Sequence, residues 1–406
     1  MQKFEKHSPV VVTEVTTKHE LRQFMQYPNR LYADNPNYIP SFYGDDLSDW
    51  TPGKNPAFDY CEARCWLARR DGEIVGRIGA ILSHKANDKF GTHRMRFSQV
   101  DFVDDSEVSA ALFGTVERWA REKGCDQVHG PLGFTDMDRE GMLVEGFDRR
   151  SLFFTNYNAP YYLEHLTRLG YRKDVDWIEY RITVPEPGGA EAERLHKLSE
   201  FILKRKHLHV ATVHHKSEYG PFVRQVFELV NAAYAPLYGV VELSDEQIER
   251  YANKFIPLVD PDFVCFVVDE QDQLVAFGVT ALDPSVALKH SDGRLFPFGW
   301  AGVLNDLHHS DTLIMLLTAV RPDLQAEGIN AVMMDHVCQS CNRHGVQFAE
   351  TGPMLEKNDH ILAQWKRLDK EQHKRRRCFI KDLDHDVNAA NAAAAQTETP
   401  ETESAE

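Results

Sequence analysis

The feature that most constrains the fold is an apolar run that ends in proline and leads through a short polar loop into an amphipathic helix. Residues 312–322 read Thr-Leu-Ile-Met-Leu-Leu-Thr-Ala-Val-Arg-Pro, the loop carries one glycine, Gly328, and the helical pattern runs from Ala331 to Arg343. A strand, loop and helix in this order present backbone N–H groups and a helix N-terminus to an anion. We therefore predict an anion site here, of a kind that suits a pyrophosphate.

Two halves of the chain repeat a similar order of elements. Each half has a hairpin, a further strand and a helix in its pattern, and the Pro/Gly-rich segment 185–190 separates them before a connecting helix. Such an order predicts an α/β fold with a mixed sheet flanked by helices in each half. The predicted divisions are an N-terminal domain at 1–184, a connector at 185–205, a C-terminal domain at 206–385 and a disordered acidic tail at 386–406.

Size and charge limit the classes of partner. At 406 residues the chain is long enough for two domains. The formal net charge of −16 argues against a nucleic-acid partner, because phosphate binding needs a basic face. Two basic runs, at 204–206 and 374–377, are expected to be solvated faces.

Membrane, disulfide and metal classes are also disfavoured. No apolar run approaches the ~20 residues that span a bilayer, and the first residues lack the apolar core of a signal peptide, so we expect a cytoplasmic protein with no membrane partner. The 7 cysteines are an odd number and are scattered, which suits free thiols in a reducing compartment. No pattern of spaced ligands predicts a metal site.

The loop motif resembles a known family. Gln325-x-x-Gly328-x-Asn330, after a strand that ends in Val-x-Pro, is similar to the acyl-CoA pyrophosphate loop of the GNAT superfamily (Gcn5-related N-acetyltransferases), which ends in Gly or Ala where this chain has Asn330. Glu327 places a carboxylate beside the expected phosphates, where repulsion would cost affinity. The resemblance implies that acyl-CoA, as acetyl-CoA or another acyl-CoA, is held by Thr318, Ala319, Val320, Gln325, Ala326, Glu327, Gly328, Ile329, Asn330 and Asn358.

The first half resembles the same family without its cofactor loop. Its strand-to-helix junction at 103–107 has no glycine and carries adjacent carboxylates, so it should not hold a pyrophosphate. Residues 158–162 and 169–171 are similar to the last helix and hairpin of a GNAT domain. The chain also looks like a group of uncharacterised bacterial GNAT-like proteins of this length, through Gly130-Pro131, residues 141–148 and the 158–162 segment. The resemblance therefore implies two GNAT-like domains in tandem.

Acyl transfer to an amine needs a polarised carbonyl, a neutral amine and a proton for the leaving thiolate. Glu350, on the strand after the helix, is the candidate base acting through water, and the alternative is a structural carboxylate. The family's Tyr donor is missing from the last helix, where Trp365 stands, so Tyr162 or a thiol is the candidate acid. Asn358 contacts the pantetheine arm, caps a helix, or does both.

A loop at 135–141, Thr-Asp-Met-Asp-Arg-Glu-Gly, is acidic. It is either a solvent-exposed turn or a site for a cationic amine. Together these features predict an acyl-CoA-dependent N-acyltransferase, such as an N-acetyltransferase, acting on a small amine. The alternatives are a non-catalytic acyl-CoA-binding protein and a tRNA-dependent aminoacyl or peptidyl transferase of the tandem-GNAT type.

Overall fold

A computed structural model describes residues 8–383 of the chain. The predicted tail at 386–406 lies outside these residues. The fourteen strands are β1 (Val11–Glu14), β2 (Cys61–Arg70), β3 (Glu73–Ser83), β4 (Arg94–Phe102), β5 (Gln127–Gly130), β6 (Met142–Glu145), β7 (Arg172–Thr183), β8 (His209–Val210), β9 (Val264–Val268), β10 (Leu274–Leu282), β11 (Thr312–Val320), β12 (Phe348–Glu350), β13 (Met354–Leu355) and β14 (Lys370–Asp382).

Helices alternate with the strands in both halves, as the periodic patterns predict. They are α1 (Lys18–Leu31), α2 (Tyr43–Asp49), α3 (His84–Phe90), α4 (Ser106–Glu122), α5 (Tyr161–Arg168), α6 (Ala190–Lys206), α7 (Gly220–Tyr234), α8 (Asp245–Phe255), α9 (Ser285–His290), α10 (Gly299–His309), α11 (Asn330–His344) and α12 (Asp359–Gln364). The mixed α/β class is confirmed. The segment predicted as a connector, 185–205, begins with non-helical residues and continues as α6, which packs on α11 through Leu195, Ile202 and Val332.

The two halves share one continuous sheet. Its strand order is β1-β2-β3-β4-β5-β14-β7-β12-β11-β10-β9-β8, with β6 and β13 attached at its centre. The last strand of the second half, β14, therefore lies beside β5 of the first half, and the last strand of the first half, β7, lies beside β12 of the second. The halves exchange their final strands, so the predicted boundary at 184 divides the sequence but not the sheet.

A buried ionic cluster lies where the exchanged strands meet. Lys374 Nζ donates to Glu179 at 3.4 Å and to Glu350 at 3.1 Å, and Arg376 Nε donates to the other oxygen of Glu179. Burial raises the pKa of Glu179, but the positive charges of Arg376 and Lys374 outweigh this effect and hold it below its ordinary value.

This cluster corrects one expectation. The basic run at 374–377 is not a solvated face, because Lys374 and Arg376 alternate along β14 on its buried side. Arg375 and Arg377 point the other way and both donate to Asp176. The run therefore helps to join the two halves.

Candidate active site

The predicted anion loop joins β11 to α11 and leaves its backbone donors free. Within residues 8–383, no N–H group of residues 325–330 donates a hydrogen bond to another protein atom, and no side chain caps the start of α11. Ala326 and Gly328 have φ of 63° and 85°, whereas Ile329 has φ of −57°. Alternation of left-handed and right-handed residues at a helix N-terminus forms a concave set of N–H groups that binds anions.

Close packing also favours glycine in this loop. A Cβ at position 328 would lie 3.0 Å from Cδ1 of Ile202 on α6. The amide of Gln325 donates to the carbonyl oxygen of Val320 at 3.3 Å and so bridges the end of β11 to the loop. The connector helix and the strand end therefore hold the loop from both sides.

The carboxylate of Glu327 is paired rather than free. Its Oε2 lies 2.7 Å from Nζ of Lys206, the last residue of α6. The hydrogen bond and charge of Lys206 hold the pKa of Glu327 below its ordinary value. The repulsion predicted for a bound diphosphate is thus reduced by a cation from the connector.

Strand β11 separates from β12 just before the loop. The two strands are paired only over 312–314 and 348–350. The register of β10 against β11 shifts between Val279 and Thr280, which leaves Leu316 as an extra residue in β11. Thr318, Ala319 and Val320 line the opening but remain paired with β10, so the bulge lies at Leu316, before the predicted residues.

The opening leads into a cavity of about 1130 Å³. Its walls come from both halves and include the loop residues Gln325, Ala326, Gly328, Ile329 and Asn330. Much of the remaining wall is apolar, including Trp177, Met315, Met333, Met334, Met354 and Trp365. Ligand pockets are typically ~300–1,000 Å³, so the volume is sufficient for an extended ligand.

Unpaired charges of both signs line this cavity. Lys357, Lys366 and Arg367, around α12, form no ion pair within the described part of the chain. Asp136 and Glu140, from the first half, are the unpaired acids of the wall, whereas its other carboxylates, Asp174, Asp176 and Glu356, each lie in an ion pair. The cavity therefore offers cations near the pantetheine-binding position predicted for Asn358 and carboxylates on the side of the first half.

Asp136 and Glu140 are partly exposed to the cavity. Neither forms an ion pair, nor accepts a hydrogen bond from another residue, anywhere in 8–383. Burial raises the pKa of Asp136 to about 6, with a further contribution from Asp138. Burial also raises the pKa of Glu140 well above its ordinary value, and Asp136 adds to this. The acidic loop is thus a cavity wall, not a solvent-exposed turn.

Glu350 is not at this cavity. Its neighbours Ala349 and Thr351 line the wall, and because side chains alternate along a strand, the carboxylate points to the other face. There it accepts a hydrogen bond from Lys374 as part of the buried cluster. The structural alternative for Glu350 therefore holds, and its predicted role as base is wrong for this geometry.

Tyr162 is also elsewhere. It is fully buried in the core of the first half, where its hydroxyl lies 2.8 Å from the hydroxyl of Tyr32 and accepts from the N–H of Phe102 at 2.8 Å. Burial raises the pKa of Tyr162 well above its ordinary value. A phenol held in this way cannot reach a thiolate in the cavity, so this candidate acid is corrected.

Two other tyrosines, which the sequence pattern did not single out, line the cavity. Tyr234 donates to the carbonyl oxygen of Thr318 at 2.8 Å, and burial together with the charge of Asp136 raises its pKa to about 12. Tyr238 donates to Asp174 at 2.6 Å and lies 3.0 Å from Nδ1 of His129. Tyr234 is the last residue of α7 and Tyr238 lies four residues further on. The helical pattern of this segment gave no signal of a site.

His129, Asp174 and Cys378 have ligand atoms within 4.8 Å of one another. The hydroxyl of Tyr238 hydrogen-bonds to all three, at 3.5 Å in the case of the Cys378 sulfur. Burial raises the pKa of the Cys378 thiol, which keeps it protonated. Hydrogen bonds through Tyr238 therefore explain why these three residues lie together. That the protein holds no metal stays a prediction.

Asn358 lines the cavity and also caps α12, since its Oδ1 accepts from the N–H of Ile361 at 3.3 Å. Its side-chain amide is left for a ligand, so both proposed roles remain compatible. Trp365 contacts Met354 through its indole N–H at 3.2 Å and closes the same end of the cavity.

Among the described helices, none has the length and apolar character needed to cross a bilayer.

Comparison with known proteins places the fold. No family model matches the chain. A tandem GNAT protein from the clavulanic acid biosynthesis pathway superposes with a TM-score of 0.53 at 13% identity, covering 93% of this chain and 99% of that one. A GCN5-related N-acetyltransferase from Sphaerobacter thermophilus gives a TM-score of 0.50 at 12% identity, covering 93% and 97%. The chain therefore has the tandem GNAT-like fold.

Two curated proteins are similar in sequence. Protein YghO of Escherichia coli strain K12 is 27% identical over 379 residues, which cover 92% of this chain and 95% of that protein. A bacterial ceramide synthase from Caulobacter vibrioides is 28% identical over 300 residues, covering 72% and 75%.

Proposed function

We propose that the protein is an acyl-CoA-dependent N-acyltransferase. The observation that carries this proposal is the loop at 325–330, whose N–H groups have no acceptor among the described residues and lie at the mouth of a large cavity beside a bulged strand. Backbone donors and a helix N-terminus complement a diphosphate. The unpaired lysines and arginine near α12 supply further positive charge for the phosphates of CoA.

The bulge supports the chemistry. We propose that backbone N–H groups at Leu316 and Leu317, which line the cavity where β11 has left β12 and its pairing with β10 shifts, hydrogen-bond the thioester carbonyl. Such donors stabilise the negative charge that develops on the carbonyl oxygen as an amine attacks. No side chain of the second half is needed for this part of the reaction.

The acyl group is proposed to be a fatty-acyl chain rather than acetyl. Beyond the loop the cavity is lined by methionine, tryptophan and branched side chains, which favour apolar carbon chains through the hydrophobic effect. One relative is named a bacterial ceramide synthase, and formation of a ceramide is the N-acylation of a long-chain amino alcohol. A long-chain amine is accordingly the proposed class of acceptor.

Calorimetry and thiol release test this function together. Titration with CoA should give binding, and release of free thiol should require both an acyl-CoA and a primary amine. A series from acetyl-CoA to palmitoyl-CoA, with amines of increasing length, should show kcat/KM rising with chain length on both substrates.

Each rival has its own result. Absence of CoA binding at millimolar concentration would remove the basis of the proposal. Affinity for CoA without thiol release for any amine would favour a non-catalytic binding protein. Salt-sensitive binding of charged tRNA would favour a tRNA-dependent transferase instead.

A further inference from the structure

The cavity contains two carboxylates that no protein cation neutralises. Ion pairs with neighbouring cations are the usual state of buried acidic groups, because an isolated charge away from water is costly. Asp136 and Glu140 have none within residues 8–383, although they lie on one loop and face the same space. Their environment is therefore suited to a cation that comes from outside the chain.

The nearby cations are held away from these carboxylates. Arg139, between them in sequence, donates to both oxygens of Asp46 at 2.8 Å. Arg96 donates to the carbonyl oxygens of Gly133 at 2.8 Å and Gly239 at 3.0 Å.

Lys89 is held in the same way. Its Nζ donates to the carbonyl oxygens of Ala235 at 2.8 Å and Val240 at 2.9 Å. Each cation close enough to matter is thus engaged by backbone or by another acid, and the two carboxylates stay available.

Asp138, the third acidic residue of the loop, has a different role. Its Oδ2 accepts from the N–H of Phe134 at 2.8 Å and of Thr135 at 3.2 Å, and it does not line the large cavity. The loop is therefore built by one carboxylate, while the other two are presented to the cavity.

Tyr234 connects Asp136 with the expected position of the thioester. Tyr234 and Asp136 both line the cavity, the charge of Asp136 helps to raise the pKa of the phenol, and the phenol hydroxyl donates to the carbonyl oxygen of Thr318 on β11. Asp136 and the bulged segment of β11 therefore line one cavity.

We propose that Asp136 and Glu140 bind the acceptor as a primary ammonium ion and that Asp136 removes its proton before attack. The inference rests on the proposed acyltransferase function. It assigns the binding of the acceptor amine to residues of the first half, which has no cofactor loop, while the second half binds acyl-CoA. The carbon chain of the amine lies along the apolar wall. A neutral alcohol of the same length lacks the charge that these groups recognise.

The reaction balances without a further reactant. One proton passes from the ammonium ion to the Asp136 carboxylate, and the nitrogen lone pair forms the C–N bond to the thioester carbon. The C–S bond breaks, and the second proton lost by nitrogen ends on the departing thiolate. The acid form of Asp136 then returns its proton to solvent, so the products are an amide, CoA thiol and one proton.

Binding of simple amines tests the site without any acyl donor. Octylamine, octyltrimethylammonium and octanol are titrated calorimetrically into wild-type protein and into Asp136→Asn, Glu140→Gln and the double variant. Both cations should bind the wild type, octanol should bind at least tenfold more weakly, and each single variant should weaken the cations by about tenfold. Asp148→Asn, which alters an exposed acid of the same half, should leave all affinities unchanged.

A pH titration of the wild-type protein is independent of how the variants fold. Affinity for octyltrimethylammonium, whose charge does not change, should fall as the pH drops below about 6, where Asp136 gains a proton. Asp138, Glu140, Arg96, Lys89 and Tyr234 are the other titratable groups that act on this region. The Asp136→Asn variant should have a flatter profile.

CoA affinity separates failure of this inference from failure of the proposed function. The variants should bind CoA within twofold of the wild type, because neither carboxylate belongs to the anion loop. Equal binding of octanol and octylamine, or variants that keep full affinity and kcat/KM for amines, would overturn the inference while leaving acyl-CoA chemistry intact. Loss of CoA binding in the wild type with retained cation binding would overturn the function and leave the cation site.

Discussion

Lys206 and Glu327 form an ion pair, 2.7 Å from Nζ to Oε2, that joins the end of the connector helix to the anion loop. The positive charge of Lys206 and the negative charge of Glu327 partly cancel in their effect on a phosphate at the loop. Lys206, which lies outside the loop motif, therefore changes the electrostatic potential at the loop.

Replacing Glu327 with Gln should strengthen CoA binding. The change removes a negative charge beside the diphosphate and frees Lys206, so the Kd for CoA should fall by a small factor, limited by solvent screening at this exposed site. Calorimetry at low and high salt measures it, since screening should diminish the gain. Glu193→Gln on the same helix, where Glu193 pairs with the exposed Lys197, is the control and should leave Kd unchanged.

Gly328→Ala should weaken CoA binding and lower stability. Position 328 has φ of 85°, where a side chain costs about 1–2 kcal/mol, and the new methyl group would press on Ile202. Gly345→Ala, at the other end of α11 with φ of 70° and no neighbour within reach, carries a similar backbone cost. Urea unfolding should show losses in both variants, whereas only Gly328→Ala should change the Kd for CoA.

Glu179→Gln should be strongly destabilising. The change removes the negative charge of Glu179, which neutralises Lys374 and Arg376 in the buried cluster. Breaking a buried ion pair in this way typically costs about 3–5 kcal/mol of unfolding free energy. Urea denaturation at pH 7 measures the loss. Glu164→Gln breaks an exposed pair with Arg168 and should cost less than about 0.5 kcal/mol; equal losses in the two variants would contradict a supporting role for the cluster.

Asp136→Asn should raise stability at pH 8 but not at pH 4. The pKa of this carboxyl is raised to about 6 in the folded protein, so its contribution to stability is full at low pH and is lost as the pH rises through 6. Asn removes the cost of the buried charge, roughly 3 kcal/mol at pH 8, since the pKa is about 6 against an ordinary value of 3.8. Thermal unfolding at both pH values checks the sign, and a variant that is less stable at pH 8 would show that the carboxylate has a partner in solution.

The two halves should fold together but not apart. Residues 1–184 lack β14, and residues 185–406 lack β7, so each fragment exposes strand edges at its centre. We expect each to be insoluble alone and a soluble complex to form when both are co-expressed, as size-exclusion chromatography would show. Cooperative unfolding of either fragment as a monomer would contradict this expectation.

Local patterns predicted the strand, the loop and the helix at 312–343 because these elements are consecutive in sequence. They failed for Glu350, since alternation along a strand shows that neighbours face opposite sides but not which side holds the cavity. That assignment depends on the exchange of β7 and β14, a pairing between residues about 200 positions apart. The same pairing buries Lys374 and Arg376, which composition alone places in solvent.

The acceptor side of the cavity shows a related limit. The acidic loop at 135–141 was visible in the sequence, with a cationic amine as one interpretation. Its placement beside β11 required the packing of the two halves, which no local spacing encodes. Tyr234 gave no sequence signal at all, because a tyrosine near the end of an amphipathic helix is usually part of the core.

Because the halves exchange their final strands, the sheet cannot be completed until the end of the chain has been synthesised. β14 begins at Lys370, about 240 residues after β5 ends at Gly130. At roughly 5–20 residues per second, a ribosome takes on the order of 10 to 50 seconds to make this stretch. Throughout that interval β5 lacks β14, one of its two neighbours, and once residue 183 has been made β7 waits for the same strand, so the nascent chain keeps open strand edges until translation ends.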